Sequence, residues 1–204
     1  LDGPPGINDP YKAPGAHDRV VEAMEACRRA GKTVWTTTVL HRHGCEGLGH
    51  VLDLSRRMGS WASFRPLTED LADPAVQAFV PDRGAYLAAL DRIGAAKRGG
   101  ARVVNSHRAL EFMRRWPDTT PPSRCLAGRA SVALDERGVL YPCSLLIGQP
   151  GFPDAAEIGV RAAMAQLSDP RCDRCTSFEN VDFNGLCQLR PWAILNTLDL
   201  VRRR

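Results

Sequence analysis

Two rhythms of apolar and polar residues run through the first half of the chain. Over residues 17–30, Val20, Val21, Met24 and Cys27 recur at helical spacing with charges between them, and Gly31 follows as a stop. That pattern predicts an amphipathic helix, with Cys27 as a buried structural thiol on its apolar stripe. Residues 33–40 (TVWTTTVL) are rich in β-branched side chains and have the length of a buried strand. A second helix is expected over residues 48–58, closed by Gly59, and residues 60–67 (SWASFRPL) read as the next strand. After a loop containing Pro74 and Pro81 comes a helix over residues 83–98, a short strand over 102–105, and a helix over 106–116 with Ser106 as its N-cap. Alternating helices and strands with short connections imply parallel strands covered by helices, joined by right-handed crossovers. The first half is therefore expected to be α/β.

Pro117, Pro121 and Pro122 mark a boundary, and beyond them the texture changes. Two short strands, residues 130–134 and 139–143, flank Asp135-Glu136-Arg137-Gly138, which carries turn chemistry and predicts a β-hairpin with cysteines at its edges. A glycine- and proline-rich loop over 148–153, a helix over 158–167, the pair Cys172 and Cys175, and a last helix from Pro191 complete the chain. The domain division expected is 1–118 and 119–204.

With 204 residues the chain is long enough to bury a true core. A formal net charge of +4 over that length is too weak to imply a nucleic-acid partner. Apolar runs stay well short of the roughly 20 residues that cross a bilayer, so no membrane span is expected. The chain opens on Leu1 instead of Met, and Leu1-Asp2-Gly3-Pro4-Pro5 reads as the end of a strand entering a loop, so an upstream segment is expected. Seven cysteines, five of them in the last 80 residues, fit metal ligation in a reducing compartment, and a cytoplasmic protein is the expectation.

The spacing Cys125-x17-Cys143-x28-Cys172-x2-Cys175 carries the most chemistry. A C-x2-C element lets two thiolates reach one metal from a single turn, and the distant pair closes the site. Four thiolates suit a zinc ion or an iron-sulfur cluster, and spacing alone does not separate them. Cys187 stands as a further or replacement ligand, or else as a small packing residue. His41-Arg42-His43-Gly44-Cys45 reads as a loop after a parallel strand, on the side where such folds bind ligands.

Several of these segments, in this order, resemble the radical S-adenosylmethionine (SAM) enzymes. Leu1-Asp2-Gly3-Pro4 followed by His17-Asp18 resembles the family's fourth-strand signature, and Thr38-Val39-Leu40-His41-Arg42-His43 resembles the end of its fifth strand. Asn105-Ser106 through Trp116-Pro117-Asp118 resembles a linker found in one group of the family. Cys125, then twelve residues to Gly138, then Gly138-x4-Cys143 is similar to the opening of SPASM and twitch auxiliary-cluster domains, and Cys172-x2-Cys175 continues it. Val181 and Gly185 occupy positions where a full SPASM domain has cysteines, which points to one twitch-like cluster. The family's Cys-x3-Cys-x2-Cys motif, which binds the SAM-cleaving cluster, does not occur in these residues.

The resemblance implies the C-terminal part of a partial (β/α)6 barrel followed by a small cysteine-rich α+β domain. Cys125, Cys143, Cys172 and Cys175 would supply the ligands of one auxiliary 4Fe-4S cluster, with Cys187 as a candidate fourth or replacement ligand. An intact parent would hold SAM and a second 4Fe-4S cluster, cleave SAM to a 5′-deoxyadenosyl radical, and abstract hydrogen from a substrate, with a peptide or small molecule favoured. An electron donor such as ferredoxin or flavodoxin would serve it. Asp2 would lie near SAM, and Thr36 and Thr38 would line the lumen while Trp35 and Val39 pack against outer helices. The rival reading is a non-catalytic, zinc-stabilised binding module using the same four cysteines.

Overall fold

A computed structural model describes residues 1–68, 71–120, 125–169, 172 and 175–202. Helix α1 (Pro5–Asn8) and a 3-10 turn lead into α2 (Ala16–Arg29), which precedes β1 (Trp35–Leu40), α3 (Arg42–Met58) and β2 (Trp61–Pro66). Next come α4 (Pro74–Gln77), α5 (Arg83–Arg98) and α6 (His107–Met113). The fold is mixed α/β, mainly helical with small sheets.

Strands β1 and β2 pair in parallel, as the helical crossover α3 requires, in a register running from Trp35 opposite Trp61 to Leu40 opposite Pro66. The strand expected at 102–105 shrinks to a parallel bridge between Ala62 and Val103. Asn105 explains the shortening. Its side chain accepts the Phe64 N–H at 2.9 Å and donates to the Phe64 carbonyl at 2.8 Å, so a buried amide replaces the next rung of the ladder. At the other edge of β1, the Leu1 amine donates to the Thr37 carbonyl at 3.0 Å.

The main core lies on one face of this sheet, where Leu40, Ala62 and Phe64 meet Leu48 and Val51 of α3, Tyr86 and Ile93 of α5, and Leu110 and Met113 of α6. Tyr86 is fully buried and donates its hydroxyl to the Met113 carbonyl at 3.0 Å, satisfying the one polar atom it carries inward. Burial along α2 stops short of its last turn: Met24 is buried, whereas Cys27 is exposed. The expectation of a buried Cys27 is therefore wrong, because nothing among the described residues covers that turn.

The C-terminal region holds β3 (Ala133–Leu134) and β4 (Leu140–Tyr141), then α7 (Ala155–Ile158), α8 (Val160–Gln166), α9 (Phe178–Cys187) and α10 (Pro191–Arg202). The expected hairpin forms, shorter than foreseen, with Ala133 opposite Tyr141 and Leu134 opposite Leu140. The helix expected over 158–167 is interrupted at Gly159 between α7 and α8. Residues 121 and 122 of the expected boundary lie outside the described residues. Helix α9 packs on α6, and Phe178 and Val181 enter the main core, so one core spans both sides of residue 118. Among the described residues no helix is long and apolar enough to cross a membrane.

Candidate metal centre

Each cysteine of the spacing pattern is delivered by a different local device. Cys125 precedes Leu126, whose N–H donates to Asn184 Oδ1 on α9 at 2.9 Å. Cys143 follows β4 and caps the 3-10 turn Ser144–Leu146. Cys175 is buried, and its backbone is fixed from both sides by Thr119: the Cys175 N–H donates to the Thr119 carbonyl at 2.9 Å, and the Thr119 hydroxyl donates to the Cys175 carbonyl. Cys172 is exposed, and residues 173 and 174 between the pair lie outside the described residues.

Electrostatics link the four thiols. Burial pushes the Cys175 thiol up to about 11, contact with the Ser177 backbone opposes that rise, and the charges of Cys125, Cys143 and Cys172 add to it. A thiol at that value keeps its proton at neutral pH and becomes a ligand only when a cation takes the proton's place. Among the described residues no three His, Cys, Asp or Glu side chains stand close enough to hold a metal ion. Cys187 ends α9 in an exposed position.

Helix α9 supplies the surroundings. Asn180 donates its side-chain amide to Cys143 Sγ at 3.6 Å. Asn184, one turn on, is 3% exposed, and its Nδ2 is buried with no hydrogen-bond partner among the described residues. The two positions where a full SPASM domain would have cysteines are closed to ligation. Val181 is packed in the main core, and a Cβ at Gly185 would stand 2.4 Å from the Trp192 ring. The donor set that remains is four soft thiols with amide donors beside them, which fits a group that binds thiolates.

The second set of expected contacts is arranged differently. Asp2 is 3% exposed, its carboxylate accepting the Val39 N–H at 3.0 Å, with Lys12 Nζ at 3.5 Å and His41 Nε2 at 3.8 Å. Burial alone would raise its pKa, but His41, the Val39 N–H and Lys12 pull it below the ordinary carboxylate range, so it is a buried carboxylate. Thr36 and Thr38 share the face of Leu40, which packs against helices, and their hydroxyls donate to the carbonyls of Trp61 and Leu1. The expectation that they line an open lumen is therefore corrected: the period of two puts Thr37 and Ser63 on the other face, hydroxyl to hydroxyl at 3.1 Å. Trp35, expected against outer helices, is 55% exposed.

The stretch expected as a loop at residues 41–45 is the start of α3. His41 is its N-cap, Nδ1 accepting the Gly44 N–H at 3.3 Å, and Gly44 permits the turn because a Cβ there would stand 2.1 Å from the Val39 carbonyl oxygen. Three further features went unnoticed in the sequence. Asp182 of α9 accepts both the N–H and the hydroxyl of Ser106 at the start of α6. His17 and His50 face each other, Nε2 to Nε2, at 2.9 Å, with Asp18 on His17 Nδ1 at 2.9 Å. Asn184 carries its orphaned donor. Of these, the Asn180-x3-Asn184 spacing is visible in sequence once a helix is known to run there.

The chain matches no family model, no curated protein and no solved structure.

Proposed function

We propose that this chain is the C-terminal portion of a radical SAM enzyme, comprising strands and helices of a partial barrel and a twitch-like segment that binds one auxiliary 4Fe-4S cluster. The observation that carries the reading is the Cys125-x17-Cys143-x28-Cys172-x2-Cys175 spacing, with one helix tied to two of its segments: Asn184 of α9 holds the residue after Cys125, and Asn180 of α9 donates to Cys143 Sγ. When bound, such a cluster supplies one-electron chemistry or an open iron site. The chain's own residues would hold and shield it: Thr119 fixes the backbone of Cys175, Asn184 fixes the segment after Cys125, and α9 is tied to the start of α6 through Asp182 and Ser106. Asp2 would keep a buried negative charge at the end of β1, where its bond to the Val39 N–H anchors the first residues of the chain. Val181 and Gly185 support a single cluster, because neither position accommodates a ligand.

The test is iron, zinc and acid-labile sulfide content, with a visible spectrum, after anaerobic reconstitution. The expected result is about four irons and four sulfides per chain, as a cubane cluster requires. Cys172→Ala and Cys175→Ala should lose that iron, and Cys187→Ala should keep it. One zinc and no iron would replace this reading with the zinc-stabilised binding module.

A further inference from the structure

Helix α9 presents two asparagines one turn apart, and both are joined to the cysteine segments. Asn180 donates its amide to Cys143 Sγ at 3.6 Å. Asn184 uses its oxygen to hold Leu126, next to Cys125, and leaves Nδ2 buried with no acceptor among the described residues. An unsatisfied buried donor costs roughly 1–3 kcal/mol and calls for an explanation. The orphan here is an N–H donor beside a cysteine ligand segment, on the same helix as a donor already engaged with sulfur. What both would take is an anionic sulfur acceptor. Four thiolates around zinc offer only the cysteine sulfurs, whereas an iron-sulfur cluster adds inorganic sulfides, which accept hydrogen bonds from just such amides.

We infer that Asn180 and Asn184 are positioning residues for the cluster, donating their side-chain amides to its cysteine and sulfide sulfurs and so raising its reduction potential. This rests on the cluster reading above. The physical reason is charge: one-electron reduction adds a negative charge to the cluster, and N–H dipoles aimed at sulfur stabilise that form more than the oxidised one. Removing a donor should lower the midpoint potential without removing the iron.

The experiment is a redox titration of the anaerobically reconstituted 204-residue chain. Dithionite supplies one electron per cluster, and the reduced form is followed by electron paramagnetic resonance alongside iron content. Asn180→Leu removes a donor at similar volume. Asn184→Asp keeps the oxygen that accepts the Leu126 N–H but replaces the donor with a charge, and Asn180→Gln restores an amide. The expected result is a lower midpoint in Asn180→Leu and a lower one again in Asn184→Asp, with Asn180→Gln shifted back toward wild type, all at wild-type iron content. Iron-loaded Asn180→Leu with an unchanged midpoint would overturn the inference and leave the cluster reading standing. A wild-type chain that takes up zinc and no iron would overturn both. Should Asn184→Asp fail to fold, as its melting curve would reveal, Asn180→Leu decides the question alone.

Discussion

In the α/β layer Leu40, Phe64 and Tyr86 are sealed among α3, α5 and α6, whereas beside the hairpin the buried apolar cluster is Leu140, Ala155 and Ala163, with Leu167 partly covered. Fully burying a large apolar side chain is worth roughly 1.5–3 kcal/mol, and an alanine far less. The layer can therefore be held by burial, while the segment carrying Cys125 and Cys143 buries fewer large side chains, chiefly Leu140 and Tyr141, and leans more on its attachments. Small regions of that kind are commonly stapled by a metal or by cross-links. Two of these attachments come from α9, where Asn184 holds Leu126 and Asn180 reaches Cys143. The difference teaches that a ligand shared by the four thiols would act as part of the fold of this region and only as a passenger on the layer.

The sharpest way to break the comparison is to damage the better-packed side. Phe64 has no exposure and faces Leu110 and Met113 as well as α3 and α5. Phe64→Ala should cost about 3–5 kcal/mol, the usual range for a buried aromatic truncated to alanine. Because Phe178 and Val181 of α9 belong to the same core, the loss should appear in both regions. Denaturant melts followed by far-ultraviolet circular dichroism and by a probe near α9 should shift together, and separate transitions would show that the regions fold independently.

A smaller effect is expected at the joint between them. Asp182 on α9 accepts the Ser106 N–H at 3.0 Å and the Ser106 hydroxyl, while the Ser106 hydroxyl oxygen accepts the Ala109 N–H at 3.0 Å. The carboxylate thus lies at the N-terminus of α6, where the unpaired N–H groups favour negative charge. Burial pushes its pKa up, and the two Ser106 bonds and Lys97 pull against that. Asp182→Ala leaves the N–H of Ser106 without its acceptor and should cost about 1–3 kcal/mol. Hydrogen exchange should quicken in α9 more than in α5, and equal quickening in both helices would count against a local joint.

How much of this was legible in the sequence follows from where the signal lies. Helix α2 showed in its apolar period, and β1 in its β-branched content and length. The first turn of α3 did not, since Gly44 and Gly47 are poor helix formers and the turn is instead enforced by the His41 cap and close approach of the backbone. Helix α9 was missed for a related reason: Asn180, Asp182, Asn184 and Gly185 argue against a helix, and Phe178, Val181 and the Asp182 bond to Ser106 override them. The spacing of the four cysteines was plain in the sequence, whereas the helix beside Cys143 that carries Asn180 was not. Nor was the orphaned Asn184 amide, because an unsatisfied donor is a property of packing.

The smallest predicted effect concerns the far side of the layer, where α2 meets α3 through two imidazoles. Asp18 holds His17 Nδ1 at 2.9 Å, so His17 Nε2 is left to face His50 Nε2, also at 2.9 Å. That contact needs one nitrogen to carry a proton and the other to lack it, so it cannot survive with both rings charged. His50 is held below its ordinary pKa, first by burial and then by the positive charges of His17 and Arg57, with Asp53 opposing. Asp9, which accepts the His17 N–H at 2.8 Å, and Asp18 are the acidic groups on the other side. A histidine whose pKa is lower folded than unfolded binds its proton more readily in the unfolded chain, so stability falls as pH drops below about 6.5. His107 is depressed as well, by burial first and then by Lys97 and Arg98, so it contributes a share of the same decline. The melting temperature should therefore fall between pH 7.5 and pH 5.5. In His50→Gln, whose amide can still donate to His17 Nε2 but does not titrate, the decline should be shallower without vanishing. A decline as steep in His50→Gln as in wild type would place the acid sensitivity elsewhere, with His107→Gln as the next substitution to measure.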